Sequence, residues 1–350
     1  MPSATAAPLN ELVAGTRMLA LVGLAKNTGK TETLAALLRE HAAAGRPVGV
    51  TSIGRDGEAH DVIDARIEKP RVQLQAGDLV ATTGALLRDS GVAHEQLSRT
   101  GIRTPLGEVV LARFSKPGHV EVAGPSSAAE LHAVGEEMLL LGAEQALLDG
   151  AIDRRAASSP TVADGLVMAT GAILSEDVGE VVEVTRDAVD LVRLPVAEDA
   201  RGDVSPEGDR DAKLVQVARR VALGAEPGEI AALLHAHPQA HTLVIDGALG
   251  EGFLEGLLAA RPARAGRELR VVAADPTRVF LAHRGPRWYA RQGIAIEVQQ
   301  PIALKAITVN PLAPQSHRFG SRQLRELVSE AVPDVPVLDV LDESYLALLK

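Results

Sequence analysis

The 350-residue chain contains no cysteine. That absence excludes disulfides, thiolate nucleophiles and thiolate metal sites, and it suits a reducing compartment. Aromatic residues make up 2% of the chain: four Phe, two Tyr and one Trp. The core must therefore be Leu, Val and Ala, and a base-stacking platform for single-stranded nucleic acid is excluded. Positive charge is also scarce, because 36 Lys and Arg stand against 46 Asp and Glu for a formal net charge of -10. No basic run concentrates it, which argues against a nucleic-acid partner. No stretch approaches the ~18 apolar residues of a membrane span. The opening residues, MPSATAAPLNELVAGTR, lack a basic segment followed by an apolar one. The expectation is a cytoplasmic protein with no membrane or nucleic-acid partner.

What is present reads as globular. Hydrophobic residues are 46% and charged residues 23%, with 32 Gly and 20 Pro dispersed along the chain. The length fits about two domains or one enlarged α/β domain. Short β-rich apolar runs alternate with helical patterns, the signature of a mostly parallel sheet covered by helices. The pattern predicts a strand over 17–22, a helix over 31–44 and a strand over 46–53. Between about 72 and 127, LVATTG, GIRTPLGEVVLARF and PGHVEVAGPS read as strands joined by turns, a β-rich insertion of mixed or antiparallel character. A helix over 128–142 and the strands QALLDG and GLVMATG follow.

The segment EDARGDVSPEGDRD, Glu198 to Asp211, is charged and lacks apolar periodicity, so it reads as a linker or exposed loop. On this reading residues 1–197 form a nucleotide-binding region. Residues 212–350 form a second α/β region that completes the nucleotide site or belongs to the same domain. That second region carries a helix over 228–235, the strands HTLVIDG, LRVVAAD, LKAITVN and VPVLDV, and helices from Gly252 and over 321–331. The paired phrases LLDGAIDR and LVIDGALG, and VATTGALLRDS and VMATGAILSED, read as similar strand ends meeting one crevice.

The strongest chemical signal is MLALVGLAKNTGKTET, in which Gly23, Gly29, Lys30 and Thr31 give GxxxxxGKT, the GxxxxGK[S/T] pattern with one extra residue, between an apolar strand and a helix. Such a loop turns successive backbone N–H groups toward a polyphosphate, and the helix N-terminus adds a favourable partial charge. Lys30 is expected to reach the β- and γ-phosphates and Thr31 to offer its hydroxyl to Mg²⁺. The expected contacts are Gly23, Lys26, Asn27, Thr28, Gly29, Lys30, Thr31 and the following position, Glu32.

Such a loop needs a carboxylate to hold the metal, normally at the end of a neighbouring hydrophobic strand. Asp149 in QALLDGAIDR fits best, Asp246 in TLVIDGALGEG has the same look, and Asp56 after the second strand is a third candidate, with Arg55 beside it. Each would otherwise cap a turn or helix. Asn310 in ITVNP offers a donor and an acceptor to a purine edge, or serves as a turn Asn before proline. The guanine-reading NKxD pattern is absent, which favours ATP. Asp275 in AADPTRVF reads as a cap. GPSS, Gly124 to Ser127, opens a helix and reads either as a Ser N-cap or as a second anion cradle. The ten histidines show no metal-ligand spacing.

Taken in order, GLAKNTGKTET, TSIGRDGE with Asp61, KPRV, TGIRTPLGE, VAGPSS, LLDGAIDR, ATGAILS and TVNPLAP resemble the P-loop subunit of the lysine 5,6-aminomutase reactivase. The resemblance covers about 17–340 and departs near Glu198. It implies a Mg²⁺-dependent ATPase that works with a MutS-like ATPase partner. Together they would open an inactivated adenosylcobalamin-dependent aminomutase, so that damaged cofactor leaves and intact cofactor enters. It also implies phosphate and Mg²⁺ binding by Gly23 to Thr31, and catalytic roles for Lys30 and Asp149. Coupling hydrolysis to a change of shape points to a two-state loop at SIGRDGE, with Asp56 at the γ-phosphate. The alternative is an ATP-dependent ligase or kinase similar to dethiobiotin synthetase, with 72–127 shaping its substrate pocket.

Overall fold

The computed structural model describes residues 7–53, 71–150, 157–198, 212–224, 227–260, 268–314 and 316–347. The chain divides into two compact units, one of 1–185 with 303–350 and the other of 186–302. The division therefore does not follow the charged segment at Glu198. Its first cut, between Thr185 and Arg186, lies inside a helix, and the second unit is an insertion between two strands of the first.

In the first unit the chain forms β1 (Met18–Gly23), β2 (Val48–Ser52), β3 (Val72–Leu74), β4 (Leu79–Thr83), β5 (His94–Thr104), β6 (Gly107–Phe114), β7 (Gly118–Val120), β8 (Gln145–Gly150) and β9 (Gly165–Gly171). The second unit contributes β10 (Leu214–Val217), β11 (Thr242–Ile245), β12 (Leu249–Gly250), β13 (Leu269–Ala273), β14 (Val279–Phe280) and β15 (Ile294–Val298). The chain then returns to the first unit with β16 (Leu304–Asn310) and β17 (Val337–Leu338). The helices are α1 (Leu9–Leu12), α2 (Lys30–Ala43), α3 (Gly84–Asp89), α4 (Ala128–Leu140), α5 (Val178–Val192), α6 (Arg219–Gly224), α7 (Pro227–Ala236), α8 (Glu251–Ala260), α9 (Pro286–Arg291), α10 (Ser321–Ala331) and α11 (Glu343–Ala347).

Nine strands of the first unit form one sheet in the order β17-β16-β9-β1-β8-β2-β4-β6-β5. The run from β17 to β4 is parallel, and β6 and β5 extend it as an antiparallel hairpin. The β-rich stretch is therefore a continuation of the main sheet, and only β3 and β7 pair apart from it. All six residues of β1 are buried, as expected of a central parallel strand with both faces covered. On one face Leu19 and Leu21 join Leu34, Leu37 and Leu38 of α2 in a common core. Each such leucine contributes about 1.5–3 kcal/mol by leaving water.

Connections diverge at β1. The chain passes from β1 over β8 to β2, returns to β8, then crosses to β9 on the other side. This is a topological switch point, where a parallel sheet opens a crevice beyond its carboxyl ends. The loop Leu24–Gly29 lies at that end.

The second unit holds a four-stranded parallel sheet, β10-β11-β13-β15, over its own core of Leu243, Ile245, Phe253, Leu257, Val271 and Tyr289 among others. Of the paired phrases, LLDGAIDR begins on β8 in the first unit and LVIDGALG ends β11 in the second. They do not belong to one sheet.

Candidate functional site

The GxxxxxGKT segment adopts the expected strand-loop-helix course, with Gly23 ending β1 and Lys30 opening α2. Two residues in the loop take left-handed backbone, Asn27 with φ 67 and Gly29 with φ 91. Gly29 is the N-cap of α2 and lies tight against Asn310, where an added Cβ would come within 2.9 Å of the Asn310 Cβ. At Gly23 an added Cβ would stand 2.5 Å from Thr28 Oγ1. Thr28 is buried, and its hydroxyl donates to Ala25 O at 2.9 Å, closing the loop on itself.

None of the main-chain N–H groups from Asn27 to Thr31 donates to an acceptor among the described residues. Leu24 N–H, by contrast, is tied to Ala169 O on β9 at 2.9 Å. The loop thus gathers consecutive unsatisfied donors at a helix N-terminus, the arrangement that holds an anion.

Among the described residues of the first unit, Asp149 is a carboxylate that the fold brings to this loop. Its strand β8 pairs with β1 in the register Leu21 to Asp149, and Asp149 Oδ1 lies 2.6 Å from Lys30 Nζ. That oxygen takes no aligned hydrogen bond among the described residues, so only the ammonium answers its charge. On the other side, β2 pairs Ser52 with Asp149, and Ile53 N–H donates to Asp149 O at 3.0 Å. Lys26 and Thr31 are exposed, one in the loop and one on the first turn of α2. Position 32 corrects the expectation made from spacing: Glu32 is acidic and adds negative charge to that turn, so it is unsuited to contact phosphate.

Asp246 follows β11 in the second unit, exposed, with its N–H bonded to Val217 O at 2.9 Å. Asp56, Arg55 and Asp61 lie outside the described residues, as does most of SIGRDGE. Asp275 is a cap, its carboxylate accepting from Thr277 N–H at 2.8 Å. In GPSS, Ser127 accepts from Glu130 N–H at 3.3 Å and donates to the Glu130 carboxylate at 2.8 Å, a helix cap held from both sides.

Asn310 ends β16, next to β9 in the sheet. Its side-chain NH₂ donates to Asn27 O at 3.1 Å, and its Oδ1 accepts from Leu312 N–H at 3.1 Å. Each end of the amide thus makes one bond to main chain.

Several contributors were not singled out from the sequence. Thr33 donates to Gly29 O at 3.0 Å and shares a buried 2.7 Å contact with Thr308 on β16, fastening the first turn of α2 to the sheet. Ser52 and Thr82 stitch Glu121–Gly124 across the ends of β2 and β4, Ser52 donating to Val122 O and Thr82 donating to Glu121 O and accepting from Ala123 N–H, while Thr51 donates to Ala81 O on β4. The readable signal is a hydroxyl pair at a strand end, Thr51-Ser52 and Thr82-Thr83.

Comparison with protein-family models, curated proteins and solved structures finds no match to this chain. No group of three or more His, Cys, Asp or Glu suited to a metal occurs among the described residues. No helix among them is long and apolar enough to cross a membrane.

Proposed function

We propose that this chain is a Mg²⁺-dependent P-loop ATPase acting in the reactivation of an adenosylcobalamin-dependent aminomutase. The observation that carries the ATPase reading is the meeting of unsatisfied loop N–H groups, Lys30 and Asp149 at the switch point of a parallel sheet. The donors from Asn27 to Thr31 would hold the β- and γ-phosphate oxygens, as a left-handed turn at a helix start is suited to do. Lys30 would leave Asp149 for the phosphates and neutralise their charge. Asp149 and the Thr31 hydroxyl would hold Mg²⁺, and an Asp149 oxygen without an aligned hydrogen bond fits that role. Mg²⁺ held there would supply positive charge against the charge that develops during phosphoryl transfer.

The reactivase role is supported by the ordered motifs from GLAKNTGKTET to TVNPLAP. It implies a MutS-like ATPase and the aminomutase as partners.

One observation favours the ligase or kinase alternative. The hydroxyl stitching of Glu121–Gly124 draws the start of α4 to Ser52, the register partner of Asp149, and so furnishes a wall beside the expected γ-phosphate.

The test is Mg²⁺-ATP turnover by the purified protein, alone and with a cobalamin-inactivated aminomutase plus the MutS-like ATPase. Recovery of mutase activity that requires ATP and Lys30 is expected. Turnover without recovery defeats the reactivase role and favours the ligase. No nucleotide binding defeats the ATPase reading itself.

A further inference from the structure

We infer that Asn310 is a positioning residue for the phosphate loop: its side-chain amide sets the loop's peptide orientation from the end of β16 and does not read the nucleotide base. The inference rests on the phosphate-binding reading of Gly23–Thr31.

The geometry works through one peptide unit. Asn27 sits in left-handed backbone at φ 67, a conformation that L-residues enter at some cost. The carbonyl of Asn27 and the N–H of Thr28 belong to the same planar trans peptide and point in opposite directions. Asn310 grips that carbonyl with its NH₂ at 3.1 Å. By fixing the carbonyl on the β16 side, it aims the Thr28 N–H away from β16, and that N–H is one of the donors without an acceptor among the described residues. The grip is close, since Gly29 leaves no room for a Cβ against the Asn310 side chain.

The other end of the amide sets its orientation. Asn310 Oδ1 takes the Leu312 N–H at 3.1 Å. A flipped amide would set NH₂ against N–H and oxygen against carbonyl, so the orientation is determined by both partners. Leu312 belongs to a short return closed by Phe319 N–H on Pro311 O at 2.9 Å, which His317 ties to Ser175 O at 3.0 Å. The amide therefore links a braced loop to the phosphate loop. Reading a purine edge would fall to the remaining N–H and lone pair of an amide whose orientation the two main-chain bonds already set.

The two roles differ in what they do to a ligand with no base. The wild type, Asn310→Ala and Asn310→Asp are titrated calorimetrically with Mg²⁺-ATP, Mg²⁺-GTP and inorganic tripolyphosphate. Melting of the ligand-free proteins is followed alongside. Loss of one positioning hydrogen bond is expected to weaken all three ligands by a common factor of about threefold to tenfold, with little change in the ligand-free melt. Asn310→Asp keeps the acceptor for Leu312 but has no donor for Asn27, so it should lose at least as much. Weakening of ATP alone, with tripolyphosphate unaffected, overturns the inference in favour of base reading. Wild-type tripolyphosphate affinity in Asn310→Asp also overturns it, leaving a turn residue only. A wild type that binds none of the three ligands overturns the phosphate-loop reading, and this inference with it.

Discussion

Lys30 Nζ and Asp149 Oδ1 meet at 2.6 Å, the one from the start of α2 and the other from the end of β8. Their side chains are 24% and 30% exposed, so water screens the pair. It contributes at most about 1 kcal/mol to the fold. Its importance lies in the ligand-free site, where each group occupies the other.

That mutual occupation predicts opposite effects on Mg²⁺-free binding. Asp149→Asn should raise ATP affinity without Mg²⁺ a few-fold, because Lys30 is released and a negative charge is removed from beside the phosphates. It should also lower Mg²⁺-dependent turnover. Lys30→Ala should lower affinity with and without Mg²⁺ by roughly a hundredfold, since a charge-assisted contact to phosphate is lost. Fluorescent-nucleotide titrations in EDTA and in Mg²⁺ measure both. If Asp149→Asn weakens Mg²⁺-free binding as Lys30→Ala does, the carboxylate does not restrain the lysine.

Gly29 carries two separate constraints, and Gly15 carries one. Both have positive φ, 91 and 78, but a Cβ at Gly29 meets Asn310 at 2.9 Å whereas one at Gly15 meets nothing within 4 Å. Gly15→Ala should cost about 1 kcal/mol of stability and leave nucleotide affinity unchanged. Gly29→Ala should cost more and also displace Asn310, reducing ATP affinity at least tenfold. Urea melts with parallel ATP titrations compare the two; equal behaviour would mean that the Gly29–Asn310 contact yields freely.

The strand-loop-helix of Gly23 to Thr31 was legible because its pattern is local: an apolar strand, a glycine-bounded turn and a helix follow one another within a few residues. Asp149 was legible as a polar residue ending an apolar run, but its choice over Asp246 needed the strand order, which places β8 beside β1 and Asp246 in another unit. The insertion was hidden for a different reason. The charged run near Glu198 drew the boundary, while the cut at Thr185/Arg186 falls inside α5. That helix is rich in valine, VGEVVEVTRDAVDLV, and although Val181, Thr185 and Val189 recur at helical spacing and are buried, its β-branched composition competes with the helical reading. Its start is set by Asp177, which accepts from Gly179 N–H at 2.6 Å. The hydrogen bond from Asn310 to Asn27 O joins residues 283 positions apart, a separation no local pattern reveals.

His41 makes stability depend on pH. Its Nε2 contacts Gln145 Oε1 at 3.1 Å, and Nδ1 has no partner among the described residues. Burial, reinforced by Arg46, holds its pKa below the usual 6.5. The unfolded chain therefore takes up a proton first as pH falls. The stability linked to His41 is complete above about pH 6.5 and declines below it until the folded pKa is reached, by at most about 1.4 kcal/mol per pH unit. His41→Gln should flatten the slope of unfolding free energy between pH 7.5 and 5.5 in urea melts. An unchanged slope would assign the pH dependence to other groups.

Tyr345 on α11 and Glu40 on α2 join the two ends of the first unit. The Tyr345 hydroxyl donates to the Glu40 carboxylate and accepts from Leu9 N–H at 3.0 Å, while Asn10 N–H donates to the other Glu40 oxygen at 2.6 Å. Burial raises the pKa of Glu40, against the hydrogen bonds from Tyr345, Asn10 and Leu9. Removing the hydroxyl by Tyr345→Phe leaves a buried N–H and a buried carboxylate each short of a partner, at a cost of about 1–3 kcal/mol. It also raises the Glu40 pKa further, because one of the bonds favouring the charged form is gone. For a carboxylate whose folded pKa exceeds the unfolded one, stability falls as pH rises from the unfolded value to the folded one. The loss in Tyr345→Phe should therefore be larger at pH 7 than at pH 5, and Glu40→Gln in the same background should remove that difference. Urea melts of the single and double variants at both pH values measure it. A loss independent of pH would mean that Glu40 keeps the same charge with or without the tyrosine hydroxyl.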